Sequence, residues 1–253
     1  MILVLAGTQD GRELADRLAQ AGYRVMASVV SDYGRELINN RQIAVHAGPL
    51  DQAQLTALVA RRDIAVIVDA SHPYARNVSG NAMAACAAAG IPYLRYERPA
   101  TELPDYPKLY LANDYKVAAQ LAASLGKIIF LTTGSRRLSL FKSAPELAGH
   151  RLIARVLPDP AVVAECIALG FKPGDIIAMQ GPFSHELNVA LFRKYQAEVM
   201  ITKNSGNLGG SDTKLTAAIE LDLPVVVIER PVLHYPAVVH TASAVMEFLR
   251  EGL

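Results

Sequence analysis

The chain repeats itself. The stretch Ile43 through Gly48-Pro49 returns 133 residues later as Ile176 through Gly181-Pro182, and the apolar run at Ile64 returns in the same register at Ala197. Glu97-Arg98-Pro99 recurs as Glu229-Arg230-Pro231, 132 residues on, and Tyr106-Pro107 recurs as Tyr235-Pro236. Each copy alternates a short apolar run, a loop rich in Gly and small polar residues, and a stretch with apolar residues at helical spacing. Continuous apolar runs such as Ile64–Val68 need cover on both faces, and parallel sheets flanked by helices supply it. The repetition predicts a duplicated, doubly wound parallel α/β unit, with a boundary near Gly126.

The first copy reads as strands at Ile2–Leu5, Tyr23–Val30, Ile43–His46, Ile64–Val68, Pro92–Tyr96 and Leu109–Leu111. Helices are expected at Arg12–Ala21, briefly after Gly34, from after Asp51 to Arg62, at Asn77–Ala89 and at Asp114–Leu125. The second copy reads as strands at Ile128–Leu131, Arg151–Val156, Ile176–Met179, Glu198–Thr202 and Val225–Ile228, with Pro160–Leu169 helical. A helix from Ser184, one starting near Asp212, a short strand Val238–His240 and a helix Ala242–Arg250 complete it. The expected fold is two Rossmann-like doubly wound parallel-sheet domains, 1–125 and 126–253, the final strand and helix being able to pack across the boundary.

Composition narrows the function. Of 253 residues, 51% are hydrophobic and 19% charged, which is the balance of a folded chain. A net charge of +1 without a basic run gives no case for nucleic acid. Gln9, Asp10 and Arg12 interrupt the first apolar run too early for a signal segment, and no run reaches the length of a membrane helix. A cytoplasmic protein with no membrane partner is expected. Cys86 and Cys166 lie in alanine-rich helical stretches without a CxxC partner and read as buried thiols in a reducing compartment. The six histidines lack ligand spacing, so no metal site is expected.

Ligands of open α/β sheets bind at loops outside the carboxyl ends of the strands. Four such loops stand out. Gly7-Thr8-Gln9-Asp10-Gly11 has the setting of a phosphate-binding turn, though its spacing is GxxxG rather than GxGxxG. Thr133-Gly134-Ser135 is its counterpart, followed by Arg136 and Arg137, which read either as phosphate or carboxylate partners or as a solvated face. Gln180-Gly181-Pro182-Phe183 precedes Ser184, placed as a helix N-cap. Lys203 opens a loop with Ser205 and Gly206, where Lys203 reads as an anion contact or a solvated lysine.

His72 follows a buried strand and Asp69, and Pro73 biases it towards an extended backbone. Such an imidazole can donate, accept or carry a proton near neutral pH, and it can equally be a structural hydrogen bonder. The other histidines, His46, His150, His185, His234 and His240, read as structural or surface. In the duplication, Asn204-Ser205-Gly206 takes the place of Ser71-His72-Pro73, so equivalent strand ends carry unlike chemistry. Where the carboxyl edges of both sheets face one interdomain cleft, these loops meet across it. No GxSxG elbow accompanies Ser205. The second strand ends in Val29-Val30-Ser31-Asp32 with Arg35 close by, which leaves NADH and NADPH both open as cofactor.

Five segments together resemble the precorrin-6A reductase family of cobalamin biosynthesis, including its cobalt-precorrin-6A branch. They are Leu5 to Leu14, Asp69 to Ala75, Ile91 to Pro99, Gln180 to Ser184 and Thr202 to Gly206, and they span nearly the whole chain in family order. Ser31-Asp32-Tyr33-Gly34 and His46 to Asp51 look closer to the cobalt-dependent branch, which is similar to enzymes using NADH. The resemblance implies an oxidoreductase acting on a CH–CH group of a tetrapyrrole, with NADH or NADPH as hydride source and a proton supplied to complete the reduction. It implies cofactor contacts from Gly7, Thr8, Gln9, Thr133, Gly134, Ser135, Gln180, Gly181, Pro182 and Phe183. Arg12, Ser71, Lys203, Ser205 and Gly206 are implied as substrate contacts, with Arg95 and Arg98 as further partners for acetate and propionate groups. His72 and Tyr74 are implied as the catalytic pair. A monomer or homodimer is expected. The competing readings are a two-domain nucleotide-binding module without chemistry and a sugar-nucleotide transferase.

Overall fold

The computed structural model describes residues 1–99, 102–204 and 211–252. Within them the chain forms two parallel six-stranded sheets. The first contains β1 (Ile2–Leu5), β2 (Val25–Val29), β3 (Ala44–Ala47), β4 (Val66–Asp69), β5 (Tyr93–Tyr96) and β12 (Val238–Val239). The second contains β6 (Leu109–Ala112), β7 (Ile128–Leu131), β8 (Arg151–Val156), β9 (Ile176–Ala178), β10 (Val199–Lys203) and β11 (Val225–Ile228). Their orders are β12-β5-β4-β1-β2-β3 and β6-β11-β10-β7-β8-β9. Counted from β1 in the first sheet and from β7 in the second, with the exchanged strand as the sixth, both follow the doubly wound order 3-2-1-4-5-6. The expected fold class and the duplicated pattern are present.

The division of the chain differs from the boundary expected at Gly126. One unit comprises the residues up to Pro99 together with those from Val232 onward, and the other the residues between them through Pro231. The sixth strand of each sheet comes from the other half of the sequence. β6 follows β5 in the chain yet pairs with β11, in register Leu109 with Val225. β12 follows β11 yet pairs with β5, in register Val238 with Arg95. Apolar periodicity marks a strand but does not say which edge it joins. That choice is made by pairing at a distance, which local sequence does not encode.

Helices cover both faces of the first sheet. α1 (Gln9–Gln20) and α10 (Ala242–Gly252) bury Leu14, Leu18, Val245 and Leu249 with Ile2, Val4 and Val68. α3 (Gln52–Arg62) and α4 (Arg76–Ala89) bury Leu55, Leu58, Ala82 and Cys86 against Leu3, Leu5 and Ile67. In the second unit, α8 (His185–Tyr195) and α9 (Ser211–Glu220) pack Phe192, Leu215 and Ala218 on Phe130, Ile153 and Met200. Each such side chain contributes about 1.5–3 kcal/mol on burial, so the alternation of apolar runs and helices is the main driving force of the fold. The ends are set by capping. Thr8 accepts from Gly11 N, Asp51 and Gln54 form a capping box, and Ser184 accepts from Leu187 N, as its position predicts.

Strand order fixes where ligands can enter. In the first sheet the winding reverses between β1 and β4, and in the second between β7 and β10. At such a reversal adjacent loops leave in opposite directions and open a crevice at the carboxyl edge.

Candidate active site

In the first unit, the loops after β1 and β4 are tied together. Thr8 Oγ1 donates to Ala70 O at 2.9 Å while it accepts from Gly11 N at 3.1 Å. Gly11 sits under the second loop, where an added Cβ would lie 3.0 Å from Ala70 O and 3.1 Å from Ala6 Cα. A Cβ on Gly7 would meet nothing within 4 Å, so the β1 turn is open above its backbone. Gln9 and Arg12 lie in the first turn of α1, with Gln9 Nε2 donating to Glu13 Oε1.

Asp69, at the end of β4, is fully buried. Its carboxylate accepts from Ser71 N at 3.0 Å, Tyr93 OH at 2.7 Å and Arg95 Nη1 at 3.0 Å. Arg95 also donates to Asp69 O, Ser71 Oγ and Glu97 Oε2. Burial and the Asp69 charge push the Tyr93 phenol well above its ordinary value. Tyr235, from the returning C-terminal segment, stacks on Tyr93 and lies 5.4 Å from the Arg95 guanidinium. Arg95 is only 1% exposed, which corrects its reading as a substrate contact: its donors are taken up inside the protein. Arg98 pairs with Asp10 at 2.7 Å and fastens the end of β5 to α1.

This network holds the turn that carries the imidazole. Ala75 N donates to His72 O at 2.8 Å, closing the turn, and Tyr74 N donates to His72 Nδ1 at 3.2 Å. A ring that accepts at Nδ1 carries its neutral-state proton on Nε2. The rings of His72 and Tyr74 lie 5.6 Å apart, tilted by 48°. Ser71 is buried beside them. The structure therefore brings Gly7, Thr8, Ser71, His72 and Tyr74 to the two loops that flank the β1–β4 crevice.

In the second unit, Thr133 is buried and Gly134 takes φ +77°, a backbone that favours glycine. Ser135–Arg137 is a 3-10 turn, followed by the short helix α6 (Leu138–Lys142). Arg136 and Arg137 are exposed. Lys203 ends β10, with its Nζ 5.9 Å from the ring centre of Tyr115. Burial, with Arg136 and Arg137 adding repulsion, lowers its pKa to about 8. The β7–β10 crevice thus collects three cations. Arg230 Nε donates to Asn204 O at 2.9 Å, beside a cavity of about 240 Å³ lined by Leu103, Asn204, Val227, Glu229 and Arg230. Ser205 and Gly206 lie outside the described residues.

The loop Gln180-Gly181-Pro182-Phe183 leaves β9 with a cis Gly181–Pro182 peptide, and Phe183 O accepts from Thr213 Oγ1. It stands over β8 and β9 rather than at the β7–β10 reversal. Sequence reasoning missed the buried Arg155 and gave the buried Arg95 a ligand role in place of its internal pairing. The signal was present in both cases, a charged residue within an otherwise apolar strand. Among the described residues no group of three or more His, Cys, Asp or Glu is placed to hold a metal ion, and no helix is long and apolar enough to cross a membrane. Cys86 and Cys166 are buried free thiols, Cys86 with its pKa raised to about 11 by burial.

Two doubly wound parallel units, each with a hydroxyl-and-glycine turn at its winding reversal, define a protein of the Rossmann-like α/β class. The family follows from comparison. Residues 1–250 match the family model described as Precorrin-6x reductase CbiJ/CobK. A cobalt-precorrin-6A reductase of Priestia megaterium is 41% identical over 251 residues, 98% of each chain. One from Salmonella typhimurium is 38% identical over 232 residues, 91% of this chain and 87% of the other. The solved structure of CobK precorrin-6A reductase superimposes with a TM-score of 0.80 at 27% identity, covering 99% of this chain and 96% of that one. The chain belongs to the precorrin-6x reductase family, oxidoreductases of cobalamin biosynthesis.

Proposed function

We propose that this protein reduces one carbon–carbon double bond of precorrin-6A or its cobalt complex to the 6B form, with NADH or NADPH, in the cytoplasm. The family match over residues 1–250 carries the reading. The site residues fit a nicotinamide dinucleotide in two respects. The turn at Gly7 leaves open space over its backbone, and the Lys203, Arg136 and Arg137 cluster offers positive charge to diphosphate or carboxylate. The cofactor, when bound, supplies the hydride.

The chain's own residues bind, orient and move the proton. Gly7 and Thr8 in the turn after β1, Gln9 at the start of α1, Thr133, Gly134 and Ser135 after β7, and the loop from Gln180 to Phe183 contact the cofactor. Arg12, Ser71 and Lys203, with Ser205 and Gly206, contact the acid side chains of the macrocycle. His72 hands a proton from Nε2 to the reduced carbon skeleton, with Tyr74 beside it, while the Asp69–Arg95 pair keeps the turn in place. The test is anaerobic incubation with precorrin-6A and with cobalt-precorrin-6A, each with NADH and NADPH. Loss of reduced-cofactor absorbance together with a change in the macrocycle spectrum is expected. An authentic substrate that leaves both cofactors unoxidised overturns the reading.

A further inference from the structure

The protein buries two arginines within strands, Arg95 in β5 and Arg155 in β8, and compensates them differently. Arg95 is 1% exposed and meets the carboxylates of Asp69 and Glu97. Arg155 is 8% exposed, next to last in β8, and meets no carboxylate among the described residues. Its single hydrogen bond runs from Nη1 to Asn188 Oδ1 at 2.7 Å, a neutral acceptor. Phe183 covers its face, with the guanidinium carbon 4.0 Å from the ring centre, and Phe130 lies at 5.8 Å. Nε and Nη2 have no partner among the described residues, yet neither is enclosed from solvent.

Removing a cation from water is costly unless a charge and hydrogen bonds replace the lost hydration. One amide and two aromatic rings replace it only in part. The effect is visible in its proton affinity, which burial alone lowers to about 10, whereas that of Arg95 is raised. The open edge is a planar fork, shaped for two oxygens of one group. It lies under the loop Gln180–Phe183 and next to the N-cap Ser184 of α8, whose backbone oxygen in turn holds Asn188 Nδ2 at 2.8 Å. We propose that Arg155 is an oxyanion-binding residue, receiving a phosphate of the nicotinamide cofactor or a carboxylate of the macrocycle at the carboxyl edge of the second sheet. This rests on the reading of Gln180–Phe183 as a ligand-contacting loop.

The test is equilibrium binding without turnover, on the full chain, with four probes: inorganic pyrophosphate, NADH, NADPH and uroporphyrin as a carboxylate-bearing macrocycle. Arg155→Met weakens the recognised probe at least about tenfold, the loss expected for a charged hydrogen-bond pair, and Arg155→Lys recovers part of it. Loss confined to pyrophosphate and the nucleotides assigns the phosphate, and loss confined to uroporphyrin assigns the carboxylate. The melting temperature does not discriminate, because Arg155→Met removes an uncompensated charge and at the same time leaves the buried Asn188 Oδ1 without its donor. A purely structural arginine leaves all dissociation constants within twofold of wild type, and that overturns the proposal. Wild-type protein that binds none of the four probes overturns it too. Should the Met variant fail to fold, the side-chain Nε–H resonance of Arg155 in labelled wild-type protein must shift on saturation; an unmoved resonance is contrary. Arg155-dependent binding without any reductase turnover would refute the proposed reaction and leave this inference standing.

Discussion

Gly11 has no side chain because there is no place for one. A Cβ there would press on Ala70 O, Ala70 Cβ and Ala6 Cα at 3.0–3.1 Å, and two of these three are backbone atoms. Gly11→Ala should therefore cost about 1–3 kcal/mol in denaturant unfolding, the range for overpacking, and should lower turnover by displacing the Ser71-His72 loop. Arg95→Met leaves the Asp69 carboxylate buried with only Tyr93 OH and Ser71 N as donors. About 3–5 kcal/mol of stability should be lost, measurable by the same unfolding curves. Lys203 makes a pH prediction with two opposite signs. Its ammonium is lost above about pH 8, so affinity for a carboxylate-bearing macrocycle such as uroporphyrin should fall as pH passes that value, and Lys203→Met should flatten the profile. Its proton is held less tightly folded than unfolded, so this residue's contribution to folding stability rises between about 8 and 10.5. Of these residues, His72 and Lys203 were legible in the sequence as polar groups at strand ends. The buried pairing of Arg95 was not, because its partner Asp69 lies 26 residues away and reaches it only through the β4–β5 register.

At the scale of elements, local chemistry was legible. Apolar runs mark all twelve described strands within a residue or two, and Ser184, a cap by its position, accepts from Leu187 N. Ends were less so. The strand expected at Glu198–Thr202 runs Val199–Lys203, which places Lys203 inside the last hydrogen-bonded position rather than in the loop. The segment between Ser135 and Arg151 carries two 3-10 turns and a five-residue helix, all too short to show periodicity. Thr8 joins two elements at once, as the cap of α1 and as a donor to the loop after β4. Thr8→Val should lose about 1–2 kcal/mol of stability, and Thr8→Ser, which keeps the oxygen, should lose less. Thermal unfolding of the two variants side by side would check the order.

At the scale of the molecule, half of the strand exchange was legible: the final strand and helix were expected to be able to pack across the boundary, and β12 pairs with β5, whereas no local pattern announced that β6 joins β11. Arg95 N and Glu97 N donate to Ala237 O and Val239 O of a segment that begins well over a hundred residues later. That segment also brings Tyr235 onto Tyr93 and seats Val245 and Leu249 in the first core. A chain ending at Pro231 should accordingly leave β5 as a bare edge over an opened core and aggregate on expression, which size-exclusion chromatography would report. The central claim concerns the reaction, and isotope placement tests it most directly. Cobalt-precorrin-6A is incubated with the purified protein and a reduced nicotinamide cofactor carrying deuterium at its transferable position, and the product is weighed by mass spectrometry. The account predicts a macrocycle heavier by one deuterium from the cofactor and one hydrogen from water, formed in a one-to-one ratio with oxidised cofactor. A product of unchanged mass, or one whose added hydrogens both come from water, would contradict it.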